Sequence, residues 1–175
     1  MVIWSQIAEL SCPSTAPPQF LLFADASNRR IMKGFPQYSG SFTFLPLSNS
    51  LSRPVALAYD FVEDRVYWTD VWRSTISRSF LNGSSQEVII DSRLDYPYGL
   101  AVDFIGRNLY WADTYNLGIS KLNGSHRKAL ITTGLYQPRD IILDVNKGLV
   151  FWKSEITVAH NTTLFASLVD RKSVV

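Results

Sequence analysis

One cysteine, Cys12, stands in 175 residues. No disulfide can close within the chain, which excludes a small domain held by disulfide staples. Histidine is as scarce: His126 and His160 have no metal-ligand spacing around them. An excess of charge of one sign is missing too. Lys and Arg number 17 against 15 Asp and Glu, a net charge of +2, too balanced to argue for a nucleic-acid or membrane-surface partner. No apolar run approaches the length of a membrane span. The opening MVIWSQIAEL has no basic residue ahead of its short apolar stretch, and Gln6 and Glu9 interrupt it. Taken as it stands, the chain is expected to have neither an anchor nor a secretion signal. It also lacks a Gly-rich phosphate loop, a Ser–His–Asp set and a catalytic setting for Cys12. Long helical periodicity is absent.

What the chain does have is 46% hydrophobic and 13% aromatic residues, enough for a packed core, and these are written as a repeat. PVALAYD (Pro54–Asp60), PYGLAVD (Pro97–Asp103) and PRDIILD (Pro138–Asp144) start 43 and 41 residues apart. A second, aromatic strand follows each: VYWTD from Val66, LYWAD from Leu109, VFWKS from Val150. The spacing from Asp60 to Trp68, Asp103 to Trp111 and Asp144 to Trp152 is constant. FLLFAD, Phe20 to Asp25, is a degenerate copy with Phe23 in the tryptophan position. Two copies continue through STISRSFLNGSS (Ser74–Ser85) and LGISKLNGSH (Leu117–His126) into last strands, QEVII from Gln86 and RKALI from Arg127. Asn82-Gly83 and Asn123-Gly124 are expected to form type I′ hairpin turns, with positive φ at both positions.

Four short strands joined by tight turns, at a period a little above 40, are the signature of a β-propeller blade. The expected fold is all-β, with complete four-stranded blades over Pro54–Ile90 and Pro97–Thr132. Phe20–Leu47 supplies only the later strands of a blade, and Pro138–Trp152 only the first two of another. In the tail, Ile156–Ala159 and Leu164–Val169 are the candidates for the missing strands. Each end of such a stack is expected to leave a raw apolar blade face.

The Tyr-Trp-Thr-Asp repeats, the Pro-x-x-Leu-Ala-x-Asp strand and the Asn-Gly-Ser turn resemble the YWTD propellers of low-density lipoprotein receptor-related proteins. VYWTD…TISRSFLNGS, LDYPYGLAVDFIGRNLYWADT and ISKLNGSHRKAL are most similar to the Wnt co-receptor branch, in its second propeller. The likeness runs from about Phe20 to Trp152. It implies part of a six-bladed extracellular propeller from a single-pass membrane receptor, present here as a fragment. Residues 1–18 then end a preceding EGF-like module, with Cys12 as its last cysteine, 19–153 form the partial propeller, and 154–175 are a divergent tail. The departure falls at Lys153-Ser154. The implied partners are secreted protein ligands, of the Wnt type or their antagonists, and the parent's own remaining blades and EGF-like module. Neither nucleic acid nor a cofactor is implied, and the membrane enters only through the parent receptor.

The repeated aspartates, Asp60, Asp70, Asp103, Asp113 and Asp144, have two readings. Some propeller enzymes gather acids around calcium. An acid recurring at one place in every blade is better read as structural, accepting backbone or Arg/Lys hydrogen bonds between blades. Arg78 and Lys121, which recur in the third strand, are the expected partners. Trp68, Trp111 and Trp152, with Tyr67 and Tyr110, are read as packing between blades rather than as a carbohydrate ladder. Asn82, Asn123 and Asn161 open N-x-Ser/Thr sequons, although the turn alone explains Asn-Gly at the first two.

Residues that do not repeat are free for function. Trp72 and Arg73 follow the second strand of one blade, and Tyr115 and Asn116 that of the next. Tyr96 and Tyr98, then Tyr136 and Arg139, flank the starts of first strands. The resemblance puts these loops on one face that binds protein ligands, and aromatics and arginine are what such an interface uses. Trp72 leads the set; the competing reading packs it on a neighbouring blade or on an absent module. Three rivals stand beside a receptor propeller. A calcium-dependent lactonase-like enzyme needs acids and amides converging on the central channel. An intracellular scaffold propeller ends its repeats in Trp-Asp, unlike Tyr-Trp-x-Asp. A basement-membrane or growth-factor-precursor propeller shares the repeats and is disfavoured by the branch similarity alone.

Overall fold

Each Asp-ended strand of the repeat pairs with the aromatic strand that follows it, so the repeat in sequence becomes a repeat in register. The computed structural model describes residues 20–34, 42–47 and 51–155, with the backbone of 162–168. The strands are β1 (Leu21–Asp25), β2 (Arg30–Gly34), β3 (Phe42–Phe44), β4 (Pro54–Asp60), β5 (Arg65–Asp70), β6 (Thr75–Phe80) and β7 (Glu87–Ile90). They continue as β8 (Gly99–Asp103), β9 (Asn108–Ala112), β10 (Leu117–Lys121), β11 (Lys128–Ile131), β12 (Pro138–Asp144), β13 (Leu149–Glu155) and β14 (Thr162–Leu168). They form four antiparallel meanders: β1-β2-β3, β4 to β7, β8 to β11, and β12-β13-β14. Leu57 pairs with Trp68, Leu100 with Trp111 and Ile141 with Trp152. The innermost strands β4, β8 and β12 pack side by side.

The Tyr-Trp pair explains the stacking. Neighbours on a strand point to opposite faces, so Tyr goes to one adjoining blade and Trp to the other. Tyr67 shares a core with Trp111, Tyr110 shares one with Trp152, and Leu22, at the tyrosine position of the degenerate copy, shares one with Trp68. Trp68, Tyr67, Trp111 and Tyr110 are all at most 2% exposed. Burying each such ring contributes about 2–3 kcal/mol. Small residues face the indoles across the sheet, Ser77 opposite Trp68 and Gly118 opposite Trp111.

Three details differ from or extend the expectation. The Asn-Gly turns are not type I′: positive φ falls at Gly83 and Ser85, and at Gly124 and His126, not at the asparagines. Gly83 N–H donates to the Phe80 carbonyl at 2.8 Å, giving a type I turn over Leu81-Asn82 followed by a left-handed glycine. Asn82 Oδ1 accepts the Ser84 N–H and hydroxyl, at 2.9 and 2.7 Å, and this side-chain bond selects the turn. Second, β13 continues to Glu155 and β14 pairs along it, a third strand over much of the Leu164–Val169 candidate. Residues 1–19, Asn161 and the Ile156–Ala159 candidate lie outside the described residues. Third, the first blade does leave an apolar face: Phe42 and Phe44 are exposed, and Phe23 meets Phe42 edge-on at 5.1 Å.

Candidate ligand-binding face

Pro54 at the start of β4 lies opposite Asp70 at the end of β5, which in turn lies opposite Thr75 at the start of β6. Segment 51–53 and turn 71–74 therefore meet at one end of the blade. Segments 91–98 and 113–116 meet likewise in the next blade, and segment 132–137 leads into the last, β12-β13-β14. The first blade adds turn 26–29, because β1 corresponds to β5. The turns after β4, β6, β8, β10 and β12 lie at the opposite end.

The repeated acid builds the first end. Asp70 is 2% exposed, and its carboxylate accepts N–H groups from Ser52 (2.6 Å), Arg53 (2.9 Å) and Arg73 (3.2 Å). Val71 N–H donates to the Arg53 carbonyl beside them. One buried carboxylate thus ties the loop entering the blade to the turn that carries Trp72. Asp113 does the same for Asp95 N–H (2.8 Å) and Thr114 N–H (2.9 Å), and Asn116 Nδ2 lies 3.5 Å away. Burial pushes the Asp113 carboxyl above the usual aspartate range, against the pull of those donors. In the fourth blade Ser154 stands in the acid's place, paired with Pro138 and buried.

On this frame all eight sequence-derived candidates lie at one end. Trp72 is 59% exposed, Tyr115 71%, Tyr136 52% and Tyr96 49%. The indole of Trp72 has the Arg53 guanidinium 5.5 Å from its centre, a residue of its own blade. Tyr98 is half-buried beneath Arg139, 4.1 Å from the ring centre, and Arg139 Nη2 donates to Gln137 Oε1 at 3.1 Å. Arg73 is exposed. Asn116 is partly structural, since its carbonyl accepts the Asp113 N–H. Tyr96 and Gln137 both take left-handed backbone, at φ 54° and 42°.

At the opposite end one expectation needs correcting. Arg78 does not serve the repeated aspartates; its Nε donates to Glu87 at 2.8 Å and its Nη1 to the Leu122 carbonyl of the next blade at 3.0 Å. Lys121 ends β10, its N–H donating to the Ser125 carbonyl. The cation on Asp60 is Arg107 of the following blade, which sequence reasoning missed. Arg107 sits in a left-handed turn position, φ 57°, where the flanking blades carry Asp64 (φ 54°) and Gly148 (φ 68°). An arginine in that company was the available signal. Asp103 caps its own turn, accepting N–H from Ile105 and Gly106. Also missed was an apolar patch here, with Phe61, Val62 and Ile105 exposed and Phe61 packed on Phe104 at 4.8 Å. Asn82 and Asn123 are exposed at this end, each with Oδ1 bonded to the serine two residues on. Among the described residues no three His, Cys, Asp or Glu gather as a metal site, and no helix is long and apolar enough to cross a membrane.

The family model for low-density lipoprotein receptor repeat class B matches residues 64–104 and 107–145. The fold and this match define the class: the chain carries low-density lipoprotein receptor class B (YWTD) repeats, folded as blades of the β-propeller type. It is 40% identical over 144 residues, 80% of its length, to low-density lipoprotein receptor-related protein 5 of Mus musculus. Over 75 residues, 42% of its length, it is 44% identical to low-density lipoprotein receptor-related protein 4 of Homo sapiens. Those stretches are 9% and 4% of the two relatives, so the chain spans a small part of either. Among solved structures it resembles a chain of a nidogen/laminin complex, with TM-score 0.73 and 28% identity over 85% of this chain and 57% of that one. A gluconolactonase of Xanthomonas campestris shares the fold, with TM-score 0.66 and 15% identity over 79% of this chain and 52% of that one.

Proposed function

We propose that the chain is part of the ligand-binding propeller of an extracellular receptor. Its loop end takes secreted proteins, of the Wnt type or their antagonists. The observation that carries the reading is the display of Trp72, Tyr96 and Tyr115 at one end, exposed but mounted on loops tied by Asp70 and Asp113, with Tyr136 exposed at the same end. Large aromatics on a rigid frame lose little entropy on binding and anchor protein interfaces. Similarity to receptor-related proteins supports the same reading. The parent is a single-pass receptor with this part outside the cell. Residues 1–18 end a preceding EGF-like module, 19–153 belong to the propeller, and 154–175 depart from the family pattern while still supplying β14.

The role is binding rather than catalysis. Asp60, Asp70, Asp103 and Asp113 commit their carboxylates to backbone N–H groups and Arg107, which leaves them poor candidates for chemistry. The nidogen neighbour favours a second reading, a basement-membrane propeller of the same repeats. Capture of purified Wnt antagonists and of laminin by the parent ectodomain separates the two. The receptor reading expects the antagonists to be bound, with weaker binding in Trp72→Ala and Arg139→Ala at unchanged melting temperature. Capture of laminin alone supports the basement-membrane reading.

A further inference from the structure

We infer that the chain has a second binding site, between the β8–β11 and β12–β14 blades at the end away from the aromatic loops, for a primary ammonium group such as a lysine side chain presents. The observation behind it is a break in the repeat. At the preceding boundary the buried Asp60 carboxylate, which ends β4, is met by Arg107 from the turn before β9. One blade on, Asp103 ends β8 and is nearly as buried, 2% exposed. Its Oδ1 accepts the N–H groups of Ile105 and Gly106. The residue in the place of Arg107 is Gly148, which has no side chain to reach it. The two turns are otherwise alike: both hold this residue in the left-handed region, at φ 57° and 68°.

A small cleft opens at this place, lined by Asp103, Tyr110, Val145, Gly148 and Leu149. Its enclosed part has room for the centre of one water-sized group, about 10 Å³. That is the size of an –NH₃⁺ and less than a guanidinium needs. Asp144 also lines the cleft but is held by its own turn, through the Lys147 N–H at 3.0 Å and Lys147 Nζ at 3.7 Å. Beside Asp103, Asn108 is fully buried, and neither its Nδ2 nor its Oδ1 has a hydrogen-bond partner, a costly state for an amide. Asn108 pairs with Asp103 across the hairpin. A Cβ on Gly106 would lie 2.4 Å from Asp103 Oδ2 and 2.9 Å from Asn108 Nδ2, so the carboxylate and the amide converge.

The chemistry of the cleft matches an ammonium. Such a group brings three N–H donors and no acceptor. Asp103 supplies the opposite charge where water screens it little, and Asn108 Oδ1 supplies a neutral acceptor. Tyr110, Val145 and Leu149 offer apolar walls for methylenes, which is how lysine buries its stem while keeping its charge paired. The lysine on the cleft's own turn, Lys147, is 75% exposed and sits beside Asp144.

The test is the melting temperature of the full chain, at constant ionic strength, with the chloride of methylammonium, Nα-acetyl-lysine amide, tetramethylammonium or potassium. The first two are expected to raise it by about 3 °C at tenfold excess over Kd. The other two, which carry no N–H, are expected not to. Gly148→Lys is expected to melt higher than Gly148→Ala, which shares the backbone strain, and to lose the response that Gly148→Ala keeps. Asp103→Asn is expected to lose it too; where that variant fails to fold, the Gly148 pair decides. No response in the wild type, or the same response in Gly148→Lys, overturns the inference. An equal rise with tetramethylammonium is a salt effect and overturns it, and an equal rise with potassium overturns it in favour of a metal ion. A response to methylammonium alone keeps the ammonium site and removes the lysine side chain as its occupant.

Discussion

Arg107 holds Asp60 across a blade boundary, Nη1 to Oδ1 at 2.8 Å and Nη2 to Oδ2 at 2.7 Å. The Asp60 side chain is fully buried, and Arg107 also bonds Glu63. The bond to Asp60 is the main reason the guanidinium holds its proton more tightly than usual. Removing the cation leaves a buried carboxylate with only the Val62 N–H on its Oδ1. Arg107→Ala is expected to cost about 2 kcal/mol, read as a lower urea midpoint. Arg107→Lys is expected to recover only part, because an ammonium cannot offer the two-pronged contact. An unchanged midpoint in the alanine variant would make the pair incidental.

Asp113 carries a pH signature. Burial raises its carboxyl above the ordinary value of about 3.8, so the folded protein takes up this proton at higher pH than the unfolded chain. The group's contribution is fully present below the unfolded value and is lost as pH rises through the raised folded one. Acidifying from neutrality is thus expected to favour the wild type over Asp113→Asn, which keeps the Oδ1 acceptor but does not titrate. Urea unfolding of both proteins at about pH 7 and pH 4 checks the sign. A drift in the other direction means the N–H donors outweigh burial.

Gly118 makes room for a tryptophan. A Cβ there would lie 2.1 Å from the Trp111 ring. Gly118→Ala must push the indole off its seat against the preceding blade, at a cost of about 1–3 kcal/mol. The expected readout is a red-shifted tryptophan emission together with a lower melting temperature. Ser77, the residue opposite Trp68, is expected to tolerate alanine far better.

Asn82 and Asn123 are proposed to carry N-linked glycans when the parent passes through the secretory pathway. Both side chains are exposed at the end opposite the aromatic loops, so sugars there leave the binding face open. Mass spectrometry of the secreted parent is expected to show one glycan lost in each of Asn82→Gln and Asn123→Gln, with ligand capture unchanged. Unmodified asparagines in a parent that is otherwise glycosylated would refute the assignment.

The blades were legible because Tyr-Trp alternation, a fixed Asp-to-Trp spacing and Asn-Gly turns all report the same unit. The turn type was not: dipeptide statistics favour type I′, whereas the Asn82 and Asn123 side chains bond forward to serines and hold the asparagine at negative φ. Arg78 and Lys121 drew attention because they repeat. The real partner, Arg107, lies 47 residues from Asp60 and reaches it only through a left-handed turn in another blade. The loop residues could be named from sequence, since they vary where the scaffold does not. That Asp70 also organises the loops around Trp72 could not, because the N–H groups it binds, on Ser52, Arg53 and Arg73, carry no side-chain signature. Strand β14 lacks the repeat motif, and its pairing with β13 had to be seen.

The most direct measurement is equilibrium binding of a Wnt antagonist to the parent ectodomain carrying Trp72→Ala with Tyr115→Ala. Val62→Ser with Ile105→Ser at the opposite end is the control, and melting temperatures are followed in parallel. At least a tenfold loss confined to the aromatic pair, with melting unchanged, is the expected result. Equal affinity for wild type and both variants, or a loss confined to the control pair, would contradict the placement of the binding face on the Trp72–Tyr115 end.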